Sequence, residues 1–388
     1  MKILLIGEYS RLHNSLKEGL AALGHEVKIV GTGDQFKDFP VDFSIAPKII
    51  KANFILRFLN KISFKLFKTD LEDFEKGYSF KKLLPKLKGF DVVQLINSNA
   101  IETFPHWQIK LYRKLFSQND KKFLLICGEE PPIIEYLLQD KMKYSILTPY
   151  FENPELKSRY LYTLKYVTKK YQDLYQFVAD HSNGIIVSDL DYKIPMERQN
   201  LACTFIPNPI NVDKIKFVPN EIKDKIIIFH GINTMSAAKK GNVYFEKALE
   251  IIAEKYPKQT EIISVSDIPY RQYIELYNRA HILLDQVFGY DQGYNALEAM
   301  AKGKVVFTGA ENEFVAHYNL TETVNINAVP DVEALVKSLS YLIENPSEIT
   351  AIGKRARLFI EKEHDYRKIA HRYLETWISE NKKSGNNS

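Results

Sequence analysis

The 388-residue chain is poor in cysteine, with Cys127 and Cys203 alone and no CxxC pair. That excludes a disulfide framework, and reduced thiols in a cytosolic protein are the simplest account. No run of about 18 uncharged apolar residues occurs, so a membrane-spanning helix is not expected. The opening MKILLIGEYS is too short an apolar stretch for a signal peptide and reads as a buried first strand. An excess of one charge is also missing. Lys plus Arg (53) nearly balances Asp plus Glu (48), and a net charge of +5 is too weak a footprint for a dedicated nucleic-acid binder. His13, His25 and His106 stand alone, and neither HxH nor HExxH appears, so no histidine metal site is expected. GEYSRLHNS after the first strand lacks GxGxxG, which argues against a nicotinamide-dependent oxidoreductase.

What is present is ordinary globular material, 45% apolar and 26% charged, long enough for two cores. Short apolar runs alternate with helical periodicity, the pattern of a mostly parallel α/β protein. KILLIG (2–7), HEVKIVG (25–31), DVVQLI (91–96), KFLLICG (122–128) and NGIIVS (183–188) read as strands. TFIPNPI (204–210) leads into a polar, lysine-bearing linker, where Pro207 and Pro209 stiffen the chain. The alternation restarts at KIIIFHG (225–231) and continues through EIISVS, HILLDQV and KVVFTG, with helices between them. From about Asp331 to Asn381 the chain reads as helical, and SGNNS as a frayed end.

One stretch breaks the rhythm. In KIIKANFILRFLNKISFKLFK (48–68), Arg57, Lys61, Lys65 and Lys68 share a helical face, and Phe, Ile and Leu fill the rest. This is the pattern of a basic amphipathic helix on an anionic membrane surface. A buried helix with a solvated lysine stripe gives the same pattern.

The segment HILLDQVFGYDQGYNALEAMAKGKVVFTG (281–309) carries the densest chemistry. A strand ends near Asp285, a loop holds Gly289 and Gly293, and a helix starts at Tyr294. The unpaired amides of that helix start, at Tyr294 and Asn295, together with the helix dipole, suit a diphosphate. Gly293 lets the phosphate approach the backbone, and Glu298 lies one turn further, within reach of a ribose.

This segment resembles the donor-site signature of the family 4 retaining glycosyltransferases, E-x7-E followed by A-x-G-x-P-V. The resemblance implies a GT-B fold, α/β with two Rossmann-like domains whose parallel sheets face a cleft. It places the family's ribose-binding Glu on Glu298. The first Glu of the signature falls on Tyr290, so Asp285 or Asp291 would take over its contacts with the sugar. HGINTMSAAKKGNVYFEKALEII (230–252) is similar to the family's Lys-Gly loop, which puts Lys240 on the donor diphosphate. The family's Arg is missing, and Lys239 would supply the second charge. Solvated loop lysines are the bland reading of the same pair. NGIIVSDLDYKIPM through CTFIPNPINVDKI (183–215) is similar to the end of the family's first domain.

The resemblance divides the chain into an acceptor domain (1–215), a donor domain (222–365) and a terminal segment (366–388) whose helix crosses back. Gly7, ending the first strand, is expected beside the donor. Glu129, followed by Glu130 and two prolines at a strand's carboxyl end, is the candidate polar residue lent to the reacting sugar. Exposed loop charges are the alternative there. His230 is a candidate to face the cleft. The expected activity is transfer of a sugar, with retention, from a nucleoside-diphosphate sugar to a glycan or lipid-linked acceptor in bacterial surface-glycan synthesis. No metal or other cofactor is expected, since DLD (189–191) lies too near the linker to serve as a metal–diphosphate motif. The expected location is cytoplasmic, with a peripheral seat at the inner face of the membrane if 48–68 docks there. A non-catalytic nucleotide-sugar binder of the same fold is the rival reading, since Tyr290 and the missing Arg both depart from the signature.

Overall fold

The computed structural model describes residues 1–34, 38–67 and 70–379. The expected frayed end beyond Ser379, and Lys68 of the basic stripe, lie outside the described residues. Seven strands build the first sheet: β1 Lys2–Ile6, β2 Glu26–Gly31, β3 Phe43–Ser44, β4 Val92–Leu95, β5 Lys121–Ile126, β6 Gly184–Val187 and β7 Thr204–Phe205. Five build the second: β8 Ile226–Ile232, β9 Thr260–Ser266, β10 Ile282–Leu284, β11 Val305–Thr308 and β12 Ile326–Asn327. Every pairing is parallel.

Strands flanked by helices on both faces need apolar side chains both ways, and the runs at β1, β4, β10 and β11 supply them. Ile3 to Ile6, Val92, Val93, Leu95 and Val305 to Phe307 are all shut off from solvent. The sheet orders are β3-β2-β1-β4-β5-β6-β7 and β12-β11-β10-β8-β9. In each, the order reverses once, between β1 and β4 and between β8 and β10. Crevices open at the carboxyl ends of such strand pairs, where open α/β sheets bind ligands.

The described residues of the segment 48–68 form two helices, Lys48–Ala52 and Phe54–Phe67, broken where Asn53 turns extended. The Asn53 carboxamide oxygen accepts from Ile55 N (2.9 Å) and Leu56 N (3.1 Å), capping the second helix. Phe54, Ile55, Phe58, Leu59, Phe64 and Leu66 are exposed, Phe54 to 75%. A helix buried by its apolar face is therefore not what forms here.

The helices Val332–Glu344, Pro346–Glu363 and Tyr366–Ser379 end the described chain. The last of them packs against the first sheet. Trp377 is fully buried, 6.3 Å from the ring of Phe123 on β5, and its carbonyl accepts from Lys121 Nζ.

Candidate functional site

The helix Tyr294–Ala301 starts directly after the β10 loop and has no side chain capping its amides. Its first-turn N–H groups leave a positive end at the switch point of the second sheet. Asp285, just past β10, lies beside it: its Oδ1 accepts from Asn295 Nδ2 at 3.4 Å, and its Oδ2 accepts from the Thr308 hydroxyl at 3.4 Å. Lys240 Nζ donates to Asp285 Oδ1 at 2.8 Å. The Asp285 side chain is 2% exposed and the Lys240 side chain 33%, so the pair is wet only on the lysine side. An ammonium has three protons, and this one spends one of them on Asp285.

Lys240 owes its position to Gly241, whose φ of +69° is left-handed. A Cβ there would also meet Val287 Cγ2 at 2.3 Å. Only glycine meets both demands cheaply, so the Lys-Gly pair is a geometric unit between the helices Ala237–Lys240 and Asn242–Lys255. Gly7 plays a similar part after β1, with φ +88° and Ile96 Cγ2 at 2.3 Å from where a Cβ would stand. The backbone thereby turns sharply past the carboxyl edge of the first sheet.

The other residues singled out in the sequence fall in different places. Lys239 does not join Lys240. Its Nζ reaches across the cleft to Glu129 Oε1 at 2.5 Å, and Glu129 also accepts from the Thr163 hydroxyl at 2.7 Å. Tyr294 likewise crosses over. Its hydroxyl donates to Pro209 O at 2.8 Å, so the 2.5 Å contact with Ser15 Oγ uses the serine as donor. His230 is fully buried inside the second sheet, with Nε2 2.6 Å from Asn242 Nδ2, and does not line the cleft. Burial, aided by the Lys240 charge, lowers its pKa to about 4, so it is a neutral packing group at physiological pH. Tyr290 is 3% exposed, and its hydroxyl accepts from Lys143 N at 3.0 Å. It belongs to the seam between the two halves and not to the Lys240 group. Glu298 sits partly exposed one turn into its helix, electrostatically coupled to Tyr294 and Lys302.

That seam holds a group the sequence did not announce. Asp191 accepts from Tyr290 N at 2.9 Å, while Asp291 accepts from Leu190 N at 3.2 Å. The exchange clasps the start of helix Leu190–Arg198 to the loop after β10. Asp189 caps that helix through Asp191 N at 2.8 Å. Burial raises the pKa of Asp191 to about 6 and that of Asp291 to about 7, with Asp191's charge adding to the latter. Asp189 is raised well above its ordinary value by burial and then by its two acidic neighbours. Each acid binds protons more tightly folded than unfolded, so stability falls as pH rises from about 4 toward 7. Asp189→Asn keeps the capping oxygen and removes one titratable acid from the cluster. Thermal melts should show a gain of about 2–4 °C at pH 8, equivalent to about 1 kcal/mol, shrinking toward pH 5. An equal or lower midpoint at pH 8 would remove this repulsion from the account.

The first and last acids of DLD (189–191) are seam groups, Asp189 capping helix Leu190–Arg198 and Asp191 accepting from Tyr290 N. No signal in a single sequence marks a helix-capping aspartate as one that faces another domain. Among the described residues no cluster of His, Cys, Asp and Glu has the arrangement of a metal site.

Residues 233–375, which include Lys240, Asp285 and Glu298, match the family model described as "Glycosyl transferase-like". No curated protein matches the chain. Among solved structures, sucrose-phosphate synthase from Thermosynechococcus elongatus superposes with a TM-score of 0.58 at 14% identity, covering 98% of both chains. Anabaena Alr3699/HepE in complex with UDP and glucose gives 0.58 at 11% identity, over 98% of this chain and all (100%) of that one. A UDP-GlcNAc 2-epimerase from Neisseria meningitidis bound to UDP-GlcNAc gives 0.53 at 13% identity, over 98% and 100%. The chain has the GT-B fold, and its second half, over residues 233–375, is similar to the glycosyl transferase-like family.

Proposed function

We propose that the protein is a glycosyltransferase that takes a sugar from a nucleoside-diphosphate sugar and passes it to an acceptor with retention at the anomeric carbon. The observation that carries this reading is the open, uncapped start of helix Tyr294–Ala301 with the Lys240 ammonium beside it. Charge develops on the departing diphosphate, and fixed amides plus one cation placed there lower the barrier by several kcal/mol. Lys240 would offer its two remaining protons to the phosphates while Asp285 fixes its position. Glu298 would accept from the ribose. Retention rests on the likeness of GYNALEAMAKGKVV to the family signature, and the match of residues 233–375 to the family model supports transfer over mere binding.

The fold alone does not decide the reaction, since a nucleotide-sugar epimerase shares it. Incubation with UDP-, GDP-, ADP- and dTDP-sugars and an acceptor panel, followed by NMR of the products, separates the possibilities. The expected result is a glycoside with the donor's anomeric configuration. An epimerised donor, an inverted product or unreacted donor in every pairing would overturn it. With Lys240 and the helix start neutralising the diphosphate, no metal is needed, and turnover should persist in excess chelator. Complete loss restored by Mg²⁺ or Mn²⁺ would contradict this.

The helix Phe54–Phe67 supports a membrane-side acceptor, a lipid-linked glycan in surface-glycan synthesis at the inner face of the membrane. It cannot cross a bilayer, and no described helix is long and apolar enough to do so. Its exposed phenylalanines and leucines lie beside the exposed cations Arg57, Lys61 and Lys65. Each cation adds about 1 kcal/mol near an anionic surface at low salt. Cosedimentation with phosphatidylglycerol-containing vesicles should be strong at low salt and weak at high salt. It should be lost in the Arg57→Gln, Lys61→Gln, Lys65→Gln variant. Binding that ignores the triple substitution, or no binding at low salt, would return the acceptor question to soluble glycans.

A further inference from the structure

Across the cleft from Lys240, the loops after β1, β4 and β5 bring Tyr9, Glu102 and Glu129 to one edge of the first sheet. Glu102 is occupied: Tyr9 OH donates to it at 3.2 Å and Lys76 Nζ lies 3.4 Å away, with Asp73 2.9 Å from the same ammonium. Glu102 also holds a left-handed backbone, φ +57°, a conformation that costs energy in a side-chain-bearing residue and persists where the surroundings impose it. Thr163, which donates to Glu129, lies in the segment 161–167 and carries its neighbours to this edge.

Next to it stands Lys165. Its Nζ lies 3.5 Å from the ring centroid of Tyr162, 5.1 Å from that of Tyr166 and 5.2 Å from that of Tyr171. Three aromatic faces around an ammonium attract it through their quadrupoles but accept none of its protons in a normal hydrogen bond. Glu102, Glu129 and Asp73 act on it through space, opposed by Lys76. Burial, with no hydrogen-bonded acceptor among the described residues to offset it, brings its pKa down to about 8, leaving it charged at neutral pH. Tyr162 is 55% exposed, so part of its ring is open to solvent.

We propose that Lys165 and Tyr162, with the Glu102 and Glu129 carboxylates behind them, form the acceptor subsite, and that its occupant is an uncharged sugar ring. The inference rests on the transferase reading above and names the acceptor class for it. Lys165 donates to ring or hydroxyl oxygens, Tyr162 stacks on the apolar face of the sugar, and the carboxylates accept from its hydroxyls. A phosphate-bearing acceptor fits less well. Three acids face the site, and its other cations are already engaged, Lys76 by Glu102 and Asp73 and Lys239 by Glu129.

The test is saturation-transfer NMR with methyl glycosides of glucose, galactose and N-acetylglucosamine, and with glucose 6-phosphate as the anionic counterpart. Wild-type protein should transfer saturation to at least one methyl glycoside, and bind it more tightly than the phosphate. Lys165→Met and Tyr162→Ala should each weaken that binding at least tenfold, and Lys165→Arg should restore most of it. The Tyr162 ring is exposed, so its removal leaves the fold intact even if a change at Lys165 does not. Stabilisation by a nucleoside diphosphate should be the same in all variants. No transfer to any glycoside, equal binding by the Met and Ala variants, or preference for the phosphate would overturn the subsite. Loss of nucleotide binding in the wild type would instead overturn the transferase reading, so the two failures are distinct.

Discussion

Replacing Lys240 with glutamine is expected to lower kcat about 10²–10³-fold, the usual consequence of removing one preorganised group from developing charge. Glutamine is the instructive choice. Alanine would strand the Asp285 carboxylate, whose side chain is 2% exposed, without its ion-pair partner, and that alone costs stability. The glutamine amide is neutral and reaches less far, but it leaves a hydrogen-bond donor beside Asp285, so the thermal midpoint should fall less than with alanine while the rate collapses. Steady-state kinetics beside a melting curve read the two effects separately. A Lys240→Gln protein with near-normal turnover would make the lysine a structural partner of Asp285 and nothing more.

Glu298→Ala should weaken nucleoside-diphosphate binding about 10–100-fold, the size of one or two hydrogen bonds to a charged group. Glu298 is partly exposed, on a short helix whose buried face is formed by Ala296, Leu297, Ala299 and Met300. Its removal therefore opens no cavity. Glu298→Gln keeps an acceptor and should fall between the two. The readout is calorimetric affinity for the nucleotide. Unchanged affinity in a folded alanine variant would place the ribose elsewhere.

The parts of the molecule that could be read from the sequence are those whose physics is local. Apolar runs buried on both faces made β1, β4, β5, β8 and β10 visible. The two-residue strands β3, β7 and β12 escaped, because two residues carry no period and their pairing is decided by neighbours far along the chain. Lys240-Gly241 was legible because left-handed backbone and close approach select glycine at one place. Lys239 is expected to supply the diphosphate's second charge in place of the missing Arg, yet adjacent helical residues point apart, and its ammonium reaches Glu129 after β5. Tyr290 stood where a signature acid was expected. Its hydroxyl and backbone amide instead tie Lys143 and Asp191 to the loop, a seam role that no single-sequence pattern encodes. The tyrosines around Lys165 lay in plain view in YLYTLKYVTKKYQDLY, but only the turn from helix Leu161–Leu164 to helix Lys169–Asp180 aims three of them at one ammonium.

A nucleoside diphosphate is expected to bind at the start of helix Tyr294–Ala301 beside Lys240. Calorimetric titration of UDP, GDP, ADP and dTDP into wild type and Lys240→Gln tests it most directly. One of these nucleotides should bind the wild type, its monophosphate should bind more weakly, and Lys240→Gln should lose at least tenfold in affinity. Binding of none of the four, or equal binding by both proteins, would contradict it.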